Sequence, residues 1–226
     1  MSRSGISYIN SRPELVRQWI ERDKQREEEY RIEHPDSMIT LFEGELRSLG
    51  FVFEVTNQTF SFMPKHKDII LPLAIKYYKQ ARELLKDNEQ NHFLGFFRYK
   101  GFEEVVPMLL EDFYSESTLR LTREFIGETL RVIGSKKYID EYLEILSNQG
   151  FGVGRFSVVD LVSKLKVEQA IPLFIDMLED EKCRTHAICA LGNYKREEFR
   201  PYFERFENDK NTVWRRYARA ALKKLG

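Results

Sequence analysis

Four prolines set a period that constrains this chain more than any other feature. Pro72-Leu73-Ala74-Ile75, Pro107-Met108-Leu109-Leu110, Pro172-Leu173-Phe174-Ile175 and Pro201-Tyr202-Phe203 each sit in an amphipathic segment with apolar residues at matching offsets. Leu143, with Ile145 and Leu146 behind it, fills the wide gap between Pro107 and Pro172, so the intervals are 35, 36, 29 and 29 residues. A helical unit of that length cannot bury its own apolar face and must stack on its neighbours. The spacing therefore predicts an all-α, right-handed α-solenoid of about five helix pairs. The pairs are expected at 68–86 with 88–98, 102–114 with 117–133, 137–148 with 154–165, 167–179 with 182–194, and 196–207 with 211–225. Each proline falls near the start of a first helix, where a missing N–H costs little.

Residues 67–226 are read as one continuous array and residues 1–66 as an N-terminal helical cap. A helix is expected at 13–33, with Pro13 in its first turn and Leu15, Val16, Trp19 and Ile20 on one face. Asp23 to Arg31 is almost wholly charged, as a solvated capping helix would be. Asp36 or Ser37 can cap a second helix with Ile39, Phe42, Leu46 and Leu49 inward and Gly50 at its end. In residues 51–62, Phe51, Phe53 and Val55 against Phe60 and Phe62 fit a hairpin or a packed turn equally well.

With 36 basic and 36 acidic residues the chain is formally neutral, so it has no long-range pull on nucleic acid or anionic lipid. Its longest significant apolar run, Ile69 to Ile75, is seven residues and contains a proline, far short of a membrane span. No apolar stretch follows Met1-Ser2-Arg3-Ser4-Gly5, so no secretory signal is read. Cys183 and Cys189 share one helical segment, which argues against a disulfide framework. A reduced, cytoplasmic protein without a membrane partner is expected.

The second helices carry their own register. Arg123, Arg155, Arg184 and Arg215 recur, followed three residues on by Ile126, Val158, Ala187 and Ala218. Six residues after each arginine come Thr129, Leu161, Ala190 and Ala221, and then Leu130, Val162, Leu191 and Leu222. Small residues there let adjacent helices approach closely, so Ala190→Arg should overpack the core and bury a charge. Leu178-Glu179-Asp180 through Cys183-Arg184, Ala187 and Ala190-Leu191-Gly192 resembles the HEAT repeat in its short bacterial, PBS-lyase-type form. Phe206-Glu207-Asn208-Asp209 through Val213-Trp214-Arg215-Arg216, Ala218 and Ala221-Leu222 looks like a second copy. The clear copies cover roughly residues 167–226 and looser ones extend back to about residue 68.

The resemblance implies that the second helices line a concave surface and that Asp and Arg bond between neighbouring repeats. Asp180 with Arg184, and Asp209 with Arg215, are then expected to brace the stack. Arg120, Arg216 and Arg219 are not required by the repeat, and arginine suits carboxylate or phosphate recognition. The expected partner-binding residues on the concave face are Arg120, Arg123, Arg155, Arg184, His186, Trp214, Arg215, Arg216 and Arg219. Charge is uneven: residues 101–180 hold 8 basic and 15 acidic side chains, residues 181–226 hold 12 and 6, so the C-terminal end suits an acidic protein partner.

No cofactor, metal or catalytic residue is expected. Cys183-x-x-His186-x-x-Cys189 spreads over about 120° of helix, too wide for easy chelation of one ion. Gly150-Phe151-Gly152-Val153-Gly154-Arg155 precedes a helix, where glycines can cradle an anion. Its spacing matches neither the P-loop nor the dinucleotide fingerprint, and a flexible inter-helix turn is the expectation. HEAT-like deoxyhypusine hydroxylases bind iron through His-Glu pairs, and this chain has no His-Glu dipeptide. The resemblance thus implies a non-catalytic protein-binding module, such as a bacterial regulator or an immunity protein that neutralises a toxin. The alternative is a nucleic-acid-binding HEAT-like protein of the alkylpurine DNA glycosylase type, using the basic C-terminal repeats beside Trp214.

Overall fold

A computed structural model describes residues 13–225, in which helices joined by short turns are the regular structure, with no strand among the described residues. Contacts divide the chain into two compact units, one reaching Phe96 and one starting at Phe97. No helix among the described residues is long and apolar enough to cross a membrane.

In the first unit, α1 (Pro13–Glu33) buries no residue, as its charged second half dictates, and Trp19 stays exposed. Ser37 caps α2 (Met38–Ser48) by accepting from the Ile39 N–H, and Gly50 takes the positive φ of 89° that ends the turn. Leu49, expected inward, is exposed, while Phe42 and Leu46 are buried. Residues 51–62 form a packed turn rather than a hairpin: Thr56–Phe62 is a 3-10 helix, and Phe51 and Phe53 lie against Phe62. The helix α3 (Lys67–Glu83) carries Pro72 inside it, and α4 (Asp87–Phe97) follows after a tight turn.

Glu43, 1% exposed, ties three elements together in this unit. Its carboxylate accepts from Arg31 of α1 at 2.9 Å, from Arg47 one turn along α2 at 3.4 Å, and from the Thr56 hydroxyl. Phe42 belongs to an aromatic cluster, meeting Phe93 and Phe96 edge-on, while Phe60 is tilted against Phe96.

His92 sits in that cluster, its ring centroid 5.2 Å from that of Phe60 and 5.7 Å from that of Phe96, with Nε2 buried and without a partner. Burial pushes its pKa down to about 4. Above pH 6.5 the imidazole is neutral in folded and unfolded chains alike and contributes no pH dependence. Between pH 6.5 and 4 the unfolded chain takes up a proton that the folded chain refuses. Stability should therefore fall as pH drops through that window, by about 3 kcal/mol in all. His92→Leu should remove this component. Urea unfolding at pH 7 and pH 4.5 for both proteins tests it, and equal losses in the two would refute it.

The second unit repeats one motif. Its first helices are α5 (Val106–Tyr114), α7 (Ile139–Ser147), α9 (Ile171–Met177) and α11 (Arg200–Glu204). Their partners are α6 (Arg120–Ile133), α8 (Phe156–Lys164), α10 (Arg184–Tyr194) and α12 (Thr212–Leu222). One-turn 3-10 segments at Glu103–Val105, Glu168–Ala170 and Glu197–Phe199 introduce α5, α9 and α11, which places Pro107, Pro172 and Pro201 second in their helices. Each first helix packs on its own second helix, and the second helices pack in sequence, α6 on α8, α8 on α10 and α10 on α12.

Small residues make the last contact close. Ala187, Ala190, Ala218 and Ala221 are buried, and a Cβ on Gly192 would stand 3.0 Å from that of Ala221. At the α6 end, a Cβ on Gly127 would come within 2.9 Å of the Gly154 carbonyl oxygen, so the glycine-rich loop presses directly on the helix backbone.

Candidate functional site

The arginine ladder turns inward to backbone carbonyls. Arg123 donates through Nε to the Phe113 carbonyl and through Nη2 to that of Ser115, both at 2.9 Å. Arg155 donates through Nη1 to the Leu146 carbonyl at 2.9 Å. Arg184 reaches the Leu178 carbonyl at 2.6 Å, and Arg215 that of Asp209 at 2.7 Å. Phe113, Leu146 and Leu178 lie in the last turn or at the C-cap of their first helices, whereas Asp209 lies five residues past α11. The last carbonyls of a helix have no intrahelical donor and carry the negative end of its dipole. A guanidinium fork from the next helix answers both needs.

The expected Asp–Arg bracing is corrected accordingly. Asp180 does not bind Arg184 through its side chain; it accepts from the Cys183 thiol at 3.2 Å and the Lys182 N–H at 2.9 Å, and lies 3.6 Å from Arg155 of the preceding pair. The thiol and that N–H hold its carboxyl below the usual range, with Arg155 adding to the effect. Asp209 offers Arg215 its carbonyl, while its carboxylate accepts from the Asn211 N–H at 2.7 Å.

The remaining candidates separate into four places. Trp214 lies under Arg184, whose guanidinium is 4.2 Å from the ring centre, so both residues join α10 to α12. His186 stacks on Phe156 at 4.2 Å; burial lowers its pKa, opposed by Asp160. Beside His186 runs a row of paired charges on the second helices: Arg131 bonds Glu128 and lies 3.4 Å from Asp160, which also holds Lys164 at 2.6 Å. Burial, with Asp180 adding, raises the Cys183 thiol pKa; burial chiefly raises that of Cys189 too, so neither is poised as a nucleophile.

Along α12, Thr212, Arg215, Arg216, Arg219 and Lys223 line an open groove of about 460 Å³. Arg219 donates to the Glu207 carbonyl and to Asn208, whereas Arg216 is exposed and forms no ion pair among the described residues. Lys223 was missed in the sequence reading, although its place four residues after Arg219 puts it on the same helical face.

Arg120, Arg123 and Arg155 converge elsewhere, on a cleft of about 610 Å³ walled by Gln149–Val153 and by Asp180, Lys182 and Cys183. Arg120 is largely exposed, 3.0 Å from Glu124. Arg155 is buried at 3% exposure. No sequence signal pointed to Lys182, which reaches the cleft only because the turn after α9 folds back beside the glycine loop.

No family model matches the chain, and no curated protein matches it.

Proposed function

We propose that the chain is a HEAT-like helical-repeat protein that binds an acidic protein partner without catalysis, through the α12 face. The observation that carries this reading is the cationic groove of Arg215, Arg216, Arg219 and Lys223, in which Arg216 forms no ion pair among the described residues. An exposed patch of one sign steers and orients an oppositely charged partner. The sequential packing of second helices supports a repeat array, and a regulator or toxin-neutralising role fits such a module. Glu128 and Asp160 interrupt positive charge along the neighbouring helices, which disfavours a phosphate backbone tracking the whole row.

The triple reversal Arg216→Glu, Arg219→Glu and Lys223→Glu tests the surface. Arg184 is left intact because it braces α10 against α12. Pull-down from the native lysate should lose the specific partner by at least tenfold, with helical content unchanged. Partner capture that survives the reversal would show that this is the wrong surface. Submicromolar binding of duplex DNA that weakens steeply with salt would instead favour the nucleic-acid reading.

A further inference from the structure

We propose that the cleft between α6, the Gln149–Arg155 loop and the turn at Asp180–Cys183 is a binding site for a phosphate group carried on an organic moiety. This surface is separate from the α12 groove.

Its walls bring four cations, Arg120, Arg123, Arg155 and Lys182, against one carboxylate, Asp180. They come from three elements, so an anion inside is met from several sides. A carboxylate is satisfied by a single guanidinium fork, whereas phosphate presents three acceptor oxygens and up to two charges.

Arg155 forms the inner wall of the cleft. A buried guanidinium is costly unless all its donors are met. Nη1 bonds the Leu146 carbonyl and Nη2 reaches Cys183 at 3.1 Å and Asp180 at 3.6 Å, yet Nε is buried with no partner. With Nε sealed from solvent, Arg155 acts on a ligand through its charge, as Arg123 does.

The loop favours close approach. Gly152 holds φ 52° and ψ −127°, a conformation that glycine adopts freely, and no atom lies within 4 Å of where its Cβ would stand. The backbone therefore faces open space. The positive end of α8 begins at Phe156, in the same wall. Division of labour among the cations follows from their bonds. Arg123 is committed to two carbonyls and contributes field, the exposed Lys182 can close on a ligand, and the exposed Arg120 can do so by leaving its surface pair with Glu124. A volume of about 610 Å³ exceeds a bare ion, and Phe151 and Phe156 offer apolar contact to whatever carries the phosphate.

The experiment is an amide-shift titration of the full chain at pH 7.5 and constant ionic strength, using inorganic phosphate, phenyl phosphate, a phosphoserine peptide and sodium acetate. Saturable shifts at Gly150, Gly152 and Gly154 are expected with the phosphates and not with acetate. Tighter binding of phenyl phosphate would assign a small-molecule source, and tighter binding of the peptide a phosphorylated partner. Arg120→Ala with Lys182→Ala should weaken binding at least tenfold with an unchanged melting temperature, since both side chains are exposed. The α12 triple reversal should leave phosphate binding intact, so the two readings fail separately. Absence of saturation, equal shifts with acetate, or undiminished binding by the double variant would overturn the proposal.

Discussion

Ala187→Arg should unfold the second unit at temperatures where the native chain is fully folded, with a loss of about 5 kcal/mol. Ala187 is completely buried on α10, in the register that meets α8 and α12. Overpacking a filled core costs about 1–3 kcal/mol. Burying a guanidinium without a counter-ion adds several more. Ala190, one turn along, borders the groove lined by Asp160, Ser163 and His186. An arginine there can thread its head outward, so Ala190→Arg should cost clearly less. Chemical denaturation of both variants checks the pair, and a near-native midpoint for Ala187→Arg would mean that the packing face is misassigned.

Glu43→Ala should cost about 4 kcal/mol, because breaking a buried ion pair strands the partner charge. Arg31, only 16% exposed at its side chain, would lose its buried counter-charge and keep the exposed Glu28 at 2.9 Å. Burial lowers its pKa, but its bonds to Glu28 and Glu43 outweigh that and hold it raised. The substitution also takes the acceptor from Arg47 and the Thr56 hydroxyl, loosening α1, α2 and the Thr56–Phe62 turn together. Combining Glu43→Leu with Arg31→Leu should recover much of the loss, since the buried charge is then gone from both sides. Urea unfolding of the wild type, Glu43→Leu, Arg31→Leu and the double variant gives the coupling; additive losses in the double variant would rule out the mechanism.

The helix pairs were legible because proline, small-residue and arginine positions recur at a fixed interval, and periodicity survives without knowledge of partners. Residues 51–62 were not, since alternating aromatics suit either a pleated strand or a turn whose rings collapse on one side. The arginine ladder was visible as a pattern and misread as an ion-pair network. Asp180 and Arg184 stand four residues apart and look like a pair, but backbone carbonyls leave no mark in a sequence, and they are the acceptors. The glycine cleft was judged by its spacing alone. What sets it apart is the burial of Arg155 and the arrival of Lys182 from another turn, both products of tertiary packing.

The carbonyl-directed arginines bridge only 6 to 10 residues of chain, whereas the bonds joining successive pairs, such as Arg131 to Asp160 or Asn193 to Ser163, span about 30. Each pair thus closes on itself before it grips its neighbour. A chain wired this way tolerates gain or loss of a whole unit, because a duplicated pair brings its own internal fastening and needs only a matching face. Amide exchange in such a molecule opens pair by pair rather than all at once.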